Sequence, residues 1–151
     1  MKKLPQLNLP PKEFRITLQN GKRVIWDLIR KKYVILSPEE WVRQNIIVYL
    51  IEELDYPKSL FKIESGLSYH RKQKRSDIVV CSSDGSPFLL VECKAPSIHI
   101  NQKVIDQAAV YNKSIQAEFI AISNGINHYV WLLNKLTNTY TQERSFPTFQ
   151  R

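Results

Sequence analysis

The chain has 151 residues, of which 43% are hydrophobic and 24% are charged. This composition is typical of one globular domain, and we expect a single domain over residues 1–151. Its longest apolar run, residues 46–51, is far shorter than the roughly 18 residues that a membrane span needs. Composition therefore excludes a membrane-spanning protein, and no membrane partner is expected.

No apolar signal segment follows Met1, so we expect a cytoplasmic protein in which Cys81 and Cys93 are reduced. The core is expected at about residues 33–133. The two termini lack clear periodicity and are expected to be weakly structured, although aromatic residues near the C-terminus could dock on the core.

Lys and Arg outnumber Asp and Glu by 22 to 14, which gives a net charge of +8. Much of this excess lies in one basic run, which makes a polyanion such as DNA the first partner to consider. A solvated loop without a ligand would show the same charge. The candidate nucleic-acid-binding residues of this run are His70, Arg71, Lys72, Lys74 and Arg75.

Two elements are predicted before residue 55. Apolar residues at 14–18 and 23–26 flank Asn20-Gly21, which predicts a β-hairpin. Ser37-Pro-Glu-Glu40 then shows the pattern of a capping box with Pro at the first helical position, and it predicts a buried helix that extends to about Leu54.

The remaining pattern predicts a mixed sheet. Strands are expected at 60–69 and on both sides of the Asp84-Gly85 turn within residues 75–96, a helix at about 101–116, and further strands at 118–123 and 128–133. A strand, a crossover helix and a second strand imply a parallel pair. The predicted fold class is α/β, with an antiparallel meander plus a parallel strand after a crossover helix, flanked by helices.

The hairpin signal Asp84-Gly85 sets a register. If these two residues form the turn, cross-strand partners have numbers that sum to 169, and Asp77 faces Glu92 with Lys94 on the same face. Two opposed carboxylates repel unless a cation lies between them, and hard oxygen ligands suit magnesium or manganese. A loop one residue longer would send the two acids to opposite faces.

The same register places Cys81 and Cys93 on opposite faces, which argues against a disulfide. Glu92 and Lys94 could instead form a surface ion pair on an edge strand. Gln107 and Tyr111 lie one helical turn apart, and without further information they could simply be a half-buried helix stripe.

These segments together resemble the PD-(D/E)xK nuclease superfamily, and specifically the N-terminal nuclease domain of the type I restriction enzyme R subunit. The resemblance rests on the segments Ser37-Pro-Glu-Glu-Trp-Val-Arg43, Tyr56-Pro-Lys58, Lys74-Arg-Ser-Asp-Ile-Val-Val80, Pro87-Phe-Leu-Leu-Val-Glu-Cys-Lys-Ala-Pro96, Asp106-Gln107, Tyr111-Asn112 and Ser123-Asn-Gly125. It implies a restriction-endonuclease-like sheet. One departure is that Ser76, and not Pro, precedes the expected catalytic Asp.

The resemblance also implies residue roles. Asp77 and Glu92 would hold the metal, with the backbone carbonyl of Cys93 as a further ligand, and Lys94 would assist the attacking water. Gln107 and Tyr111 would match a Gln-x-x-x-Tyr element beside the site. A helix acid near the metal is typical of the superfamily, so Glu40 is a further candidate ligand, although the local pattern favours the helix cap.

The expected function is therefore magnesium- or manganese-dependent endonuclease cleavage of DNA in a restriction system. No G-x-x-x-x-G-K-[ST] loop can be written in the sequence, so an ATP-dependent motor would lie in separate restriction-modification subunits. The alternative is a catalytically silent nucleic-acid-binding or assembly module of such a system. The three histidines lack the spacing of zinc ligands.

Overall fold

A computed structural model describes residues 2–63 and 78–149. In chain order the elements are β1 (Ile16–Gln19), β2 (Lys22–Asp27), β3 (Lys32–Ile35), α1 (Pro38–Glu52), a 3₁₀ turn (Lys58–Leu60), β4 (Phe61–Ile63), β5 (Ile78–Cys81), β6 (Pro87–Cys93), α2 (Gln102–Ile115), β7 (Phe119–Ser123), β8 (His128–Asn134) and β9 (Thr139–Glu143).

The strands form two sheets. The large sheet has the order β4-β5-β6-β7-β8-β9, and the small sheet has the order β1-β2-β3. In the large sheet only β6 and β7 are parallel, and α2 connects them. The predicted mixed α/β fold, a meander followed by a crossover helix and a parallel strand, is confirmed.

The small sheet begins with the predicted hairpin. Gln19 pairs with Lys22, and both turn residues have positive φ, 52° at Asn20 and 76° at Gly21, as a type I′ turn requires. β3 adds a third strand that the sequence analysis did not predict. It pairs with β2 through a short turn in which Asp27 Oδ1 accepts backbone hydrogen bonds from Ile29 and Arg30.

Helix α1 starts as predicted. Ser37 is the N-cap residue, and its Oγ accepts a hydrogen bond from the backbone N–H of Glu40. The side chain of Glu40 does not close the capping box, because its two oxygens accept hydrogen bonds from Arg43 and Gln44 instead. Buried residues lie on all sides of the helix, which agrees with the predicted buried helix.

The hairpin between β5 and β6 differs from the prediction near its turn. Ser82 donates a backbone hydrogen bond to Ser86, so the loop contains three residues and not two. Cys81 consequently pairs with Pro87, and the two residue numbers sum to 168. Phe88 is then an extra residue in β6, a β-bulge, and Ile78 pairs with Val91 in the predicted register of 169. The predicted turn was wrong, but the bulge compensates for it.

Each face of the large sheet has its own core. Val91 packs with Val42 of α1 in one buried cluster, and Leu90 packs with Ala108 of α2 in the other. Cys93 belongs to the α1 cluster and Cys81 to the α2 cluster, so the predicted placement of the two cysteines on opposite faces is confirmed. Strand alternation assigns Glu92, two residues after Leu90, to the α2 face.

Both ends of the chain are more ordered than the sequence suggests. Leu7 is buried in the α1 cluster, and Asn8 donates a backbone hydrogen bond of 2.8 Å to the carbonyl of Gly125. At the other end, β9 extends the large sheet, Phe146 is buried, and the Tyr56 hydroxyl donates to the carbonyl of Pro147. The apolar residues that anchor the two ends, Leu7 and Leu9 at one and Phe146 and Phe149 at the other, are too few to form a periodic pattern in the sequence.

Among the described residues, no helix has both the length and the apolar character needed to cross a lipid bilayer.

Gly125 sits where the N-terminal segment meets the end of β7. Its φ is +87°, and a Cβ there would lie 2.7 Å from Leu7 Cδ2. We expect Gly125→Ala to lower the free energy of unfolding by about 2–4 kcal/mol, because backbone strain adds to overpacking. Gly85→Ala is the matched control, since φ is +91° but nothing lies within 4 Å. Equal losses in urea denaturation would show that the Leu7 contact contributes nothing.

His128 also holds the N-terminal segment. Its Nε2 lies 3.0 Å from the carbonyl oxygen of Asn8 and its Nδ1 lies 2.7 Å from Ser123 Oγ. Because a carbonyl only accepts, the neutral ring donates from Nε2 and accepts from Ser123 at Nδ1. Burial lowers the pKa of His128 and outweighs the opposing effect of the hydrogen bond to Asn8.

This lowered pKa predicts a pH-dependent stability. The unfolded chain takes up a proton at about pH 6.5, before the folded protein does, so the stabilising contribution of His128 is complete above that pH. It is lost as the pH falls from there through the lowered pKa of the folded state. We expect the free energy of unfolding to fall between pH 7.5 and 5.5, and to fall less in His128→Gln. Identical pH profiles of the two proteins would contradict this assignment.

Candidate active site

Glu92 is the penultimate residue of β6, and its side chain is buried, with 2% of the residue exposed. β6 lies between β5 and β7 in the interior of the large sheet, so the alternative of an ion pair on an edge strand was wrong. A carboxylate buried beside aliphatic residues is costly unless it is paired, which makes Glu92 the first candidate for a chemical role.

Lys94 follows directly after β6 and supplies a charge partner. Its Nζ lies 2.9 Å from Glu92 Oε2, and its side chain is 26% exposed. The backbone N–H of Lys94 donates a 2.8 Å hydrogen bond to the carbonyl of Ser123 at the end of β7. The pair thus lies at the carboxyl ends of two parallel strands, the edge at which open α/β sheets bind ligands.

Asp77 lies outside the described residues, as do His70, Arg71, Lys72, Lys74 and Arg75. The register that would set Asp77 opposite Glu92 is present up to the neighbouring pair, Ile78 with Val91. The pairing of the two acids, the basic loop and the metal-binding role of the Cys93 carbonyl remain predictions.

Helix α2 covers the sheet face that carries Glu92. Tyr111 packs on the α2 cluster together with Val104, Ala108 and Ile115, the residues whose spacing predicted the helix. Gln107 is exposed and lies one turn before Tyr111. The structure therefore places both residues on the element that borders the site, and their catalytic roles are still predictions.

Buried Asn112 fixes the end of α2. Its Oδ1 accepts from the backbone N–H of Ala117, and its Nδ2 donates to the Ala117 carbonyl and to the Tyr140 hydroxyl. Because these contacts join α2 to the start of β7 and to β9, the helix has a defined position on the Glu92 face. The sequence alone did not indicate that Asn112 makes these contacts.

Asn124 likewise fixes the position of a neighbouring segment, the loop that follows Lys94. Its Oδ1 accepts backbone hydrogen bonds from Ile126 and Asn127, and its Nδ2 donates to the Ile98 carbonyl at 2.9 Å. The turn after β7 is thereby tied to the loop after β6. These two loops form the backbone around the Glu92–Lys94 pair.

A buried polar network on α1 was missed by the sequence analysis. Glu40 accepts hydrogen bonds from Arg43 and, at 2.7 Å, from Gln44, and it lies 3.6 Å from the guanidinium of Arg30. Arg30 in turn donates to Asp27 Oδ2 at 2.7 Å. The spacings of three and four residues after Glu40 are helical contact spacings, and they were the available signal.

This network joins the small sheet to α1. Asp27 and Arg43 are almost fully buried, and Asp27 belongs to β2 whereas Arg43 belongs to α1. Burial alone would raise the pKa of Asp27, but the hydrogen bonds and the charge of Arg30 outweigh it and lower that pKa. Two guanidiniums already balance the charges of Asp27 and Glu40, so a metal-ligand role for Glu40 would require this network to rearrange.

The fit of a divalent cation can be judged from the donors. Glu92 offers buried carboxylate oxygens of the kind that magnesium prefers. Within residues 2–63 and 78–149, no three side chains of His, Cys, Asp or Glu come together as a metal-binding group. The described residues thus supply one suitable acid, and a complete site needs the second one predicted at Asp77.

Comparison with known proteins gives one match. A family model described as the type I restriction enzyme R protein N terminus matches residues 38–147. The matched range contains α1, Glu92, Lys94 and both candidate residues of α2. Searches of curated proteins and of solved structures found no significant match.

The Glu92–Lys94 pair predicts an asymmetric response to substitution in metal-free protein. Lys94→Met should lower the free energy of unfolding by about 1–3 kcal/mol, because it removes the cation 2.9 Å from a buried carboxylate. Glu92→Gln should lower it less, since the partly exposed Lys94 retains water. A double-mutant cycle in chelator should give a coupling of about 1–2 kcal/mol.

Exposed Lys113 on α2 provides the control for this cycle, because Lys113→Met removes the same charge away from Glu92. Additive losses for Glu92→Gln and Lys94→Met would show that the 2.9 Å contact carries no energy in solution.

Proposed function

The chain belongs to the family of type I restriction enzyme R protein N termini, since the family match covers most of its length. We propose that the protein is a metal-dependent DNA endonuclease. The observation that carries the proposal is the buried carboxylate of Glu92 beside the ammonium of Lys94, at the carboxyl ends of two parallel strands. A buried acid and a partly exposed amine in this position suit hydrolysis better than they suit a packed core.

In the proposed site, Asp77 and Glu92 would hold the cation, together with the carbonyl of Cys93. Bound magnesium or manganese would neutralise charge on the scissile phosphate and lower the pKa of a coordinated water. Glu92 contributes a buried carboxylate whose Oε2 lies 2.9 Å from the Lys94 ammonium.

Lys94 has the second role. Its backbone is fixed by the hydrogen bond to Ser123, and its side chain is exposed enough to reach a phosphate or a water molecule at the surface. A lysine ammonium is a compact charge with three donors, so it can orient the attacking water while remaining close to Glu92. Gln107, which is exposed on α2, and Tyr111 are the proposed further catalytic residues on the helix beside the site.

DNA is the proposed substrate, and the basic run His70–Arg75, which precedes β5 in the sequence, is the proposed phosphate contact. Separate restriction-modification subunits would supply sequence recognition and ATP-driven translocation. The DNA substrate and the separate subunits are proposed from the family to which the chain belongs.

A catalytically silent DNA-binding or assembly module is the competing function. The short contact between Glu92 and Lys94 favours it, because an amine that neutralises the carboxylate can replace a metal in a degenerate site. The two functions make opposite predictions for metal binding.

Cleavage of supercoiled plasmid with magnesium or manganese tests the nuclease. We expect the parent protein to nick or linearise it, and Asp77→Asn, Glu92→Gln and Lys94→Ala each to lower the rate by about 10²-fold or more. Titration calorimetry should show that both acid variants lose metal binding, whereas Lys94→Ala retains it.

Asp55→Asn is the charge-matched control. Asp55 is exposed beyond α1, and its φ of 59° lies in a region that Asn tolerates well, so metal binding and cleavage should be unchanged. Metal binding that survives in both acid variants, or a parent protein that neither binds metal nor cuts DNA, would refute the nuclease and support the silent module.

A further inference from the structure

The positive charge of the molecule is concentrated in its first 36 residues. This segment has nine lysines and arginines against two acidic residues, a net charge of +7 out of the +8 of the whole chain. The remaining residues have 13 basic and 12 acidic side chains, because acids elsewhere offset the basic run at 70–75. The segment contains the small sheet, and the family match begins only after it, at residue 38.

Most of these charges are not neutralised within the protein. Arg30 pairs with Asp27, and Lys12 pairs with Glu52 and Glu53 at the end of α1. In the part of the chain that the structure describes, seven cations of this segment form no ion pair: Lys2, Lys3, Arg15, Lys22, Arg23, Lys31 and Lys32. All of them are exposed except Arg23, which is half-buried.

A row of side chains crosses one face of the small sheet. Trp26 lies directly opposite Tyr33, and their rings make an edge-to-face contact with centroids 5.2 Å apart. The guanidinium of exposed Arg15 lies over the Trp26 ring, 4.9 Å from its centroid. This is the geometry of a cation–π contact, which leaves the positive charge and N–H donors of an exposed arginine able to meet phosphate oxygens.

The turn between β2 and β3 presents further charge. Arg30, Lys31 and Lys32 are consecutive, and the backbone of Lys31 has a φ of +55°, a conformation that Asn or Gly adopts more easily. The turn is closed by a 2.7 Å hydrogen bond from the Lys31 N–H to the Asp27 carbonyl. The turn therefore holds a lysine in a position where backbone conformation alone would favour a neutral residue.

We propose that the small sheet is a second nucleic-acid contact surface, which binds the phosphate backbone of duplex DNA. Exposed lysines and arginines without an ion-pair partner in the described part of the chain, with Arg15 held over the Trp26 ring, complement a polyanion that carries one charge per about 1.7 Å of its axis. The preference for a polyanion rests on the charges alone. The choice of DNA rests on the proposed function.

The test is DNA binding without cleavage. Fluorescence anisotropy with a labelled 20-base-pair duplex is measured in chelator, over a series of salt concentrations, for the parent protein and for Glu92→Gln. The variant Lys22→Gln/Lys31→Asn/Lys32→Gln removes three charges from the small sheet, and Asn at 31 suits the left-handed backbone. Lys58→Gln/Lys113→Gln/Lys135→Gln removes three exposed charges from other elements.

We expect the small-sheet variant to bind about tenfold or more weakly, with the slope of log K against log salt reduced by about 2–3. The control variant should change affinity less than about threefold. Thermal melts in the same buffer check that each variant is folded. Lys31→Asn alone should melt no lower than the parent. Comparing its DNA affinity with that of Lys113→Gln tests the removal of a single charge.

Equal losses in the two triple variants would reduce the effect to net charge and overturn the proposal. An unchanged affinity and salt slope in the small-sheet variant would also overturn it. Because binding is measured in chelator, a loss confined to the small-sheet variant supports this surface even if the protein fails to cut DNA, and failure of the surface leaves the cleavage test unaffected.

Discussion

The arrangement of the large sheet depends on one extra residue in its central strand. Phe88 is inserted into β6 and shifts its pairing with β5 by one residue. The numbers of paired residues sum to 168 next to the turn, and to 169 at Ile78 and Val91. Side chains alternate between faces, so without this bulge Glu92 would point into the aliphatic core under α1. Burial of a charge there would cost several kcal/mol. With the bulge, Glu92 lies on the α2 side beside Lys94.

Polar contacts join the charged parts of the molecule to their neighbours. Near Lys94, Asn124 joins the two loops at the carboxyl ends of β6 and β7 through three hydrogen bonds. On the other side of α1, Glu40 and Arg30 connect the helix to the small sheet. Hydrogen bonds and ion pairs are directional, so these contacts define the relative positions of the elements that they join. Both the candidate site and the basic small sheet therefore have defined places on one scaffold.

Local sequence signals predicted most of the fold because they act over a few residues. The Asn20-Gly21 turn, the Ser37 cap and the helical spacing around Ala108 each required only neighbouring residues, and each was confirmed. The three-residue turn was missed because a bulge has no local signature when its extra residue, Phe88, is as apolar as its neighbours. The small sheet's charge escaped notice since its lysines and arginines are spread over 36 residues, and only folding brings them together. Within the Glu40 network, helical spacing could have indicated Arg43 and Gln44, but the contact with Arg30 joins separate segments and has no spacing signal.

The docking of the N-terminal segment separates two boundaries that are often assumed to coincide. The family match begins at residue 38, but Leu7 packs against Gly125 and the core of α1, and Asn8 completes the hydrogen bonding of the turn after β7. Phe149, beyond the other end of the match, packs against Tyr56. The evolutionary unit is therefore smaller than the folding unit. Transplanting only the matched segment into another protein would uncover an apolar surface at both ends and would require new chain to cover it.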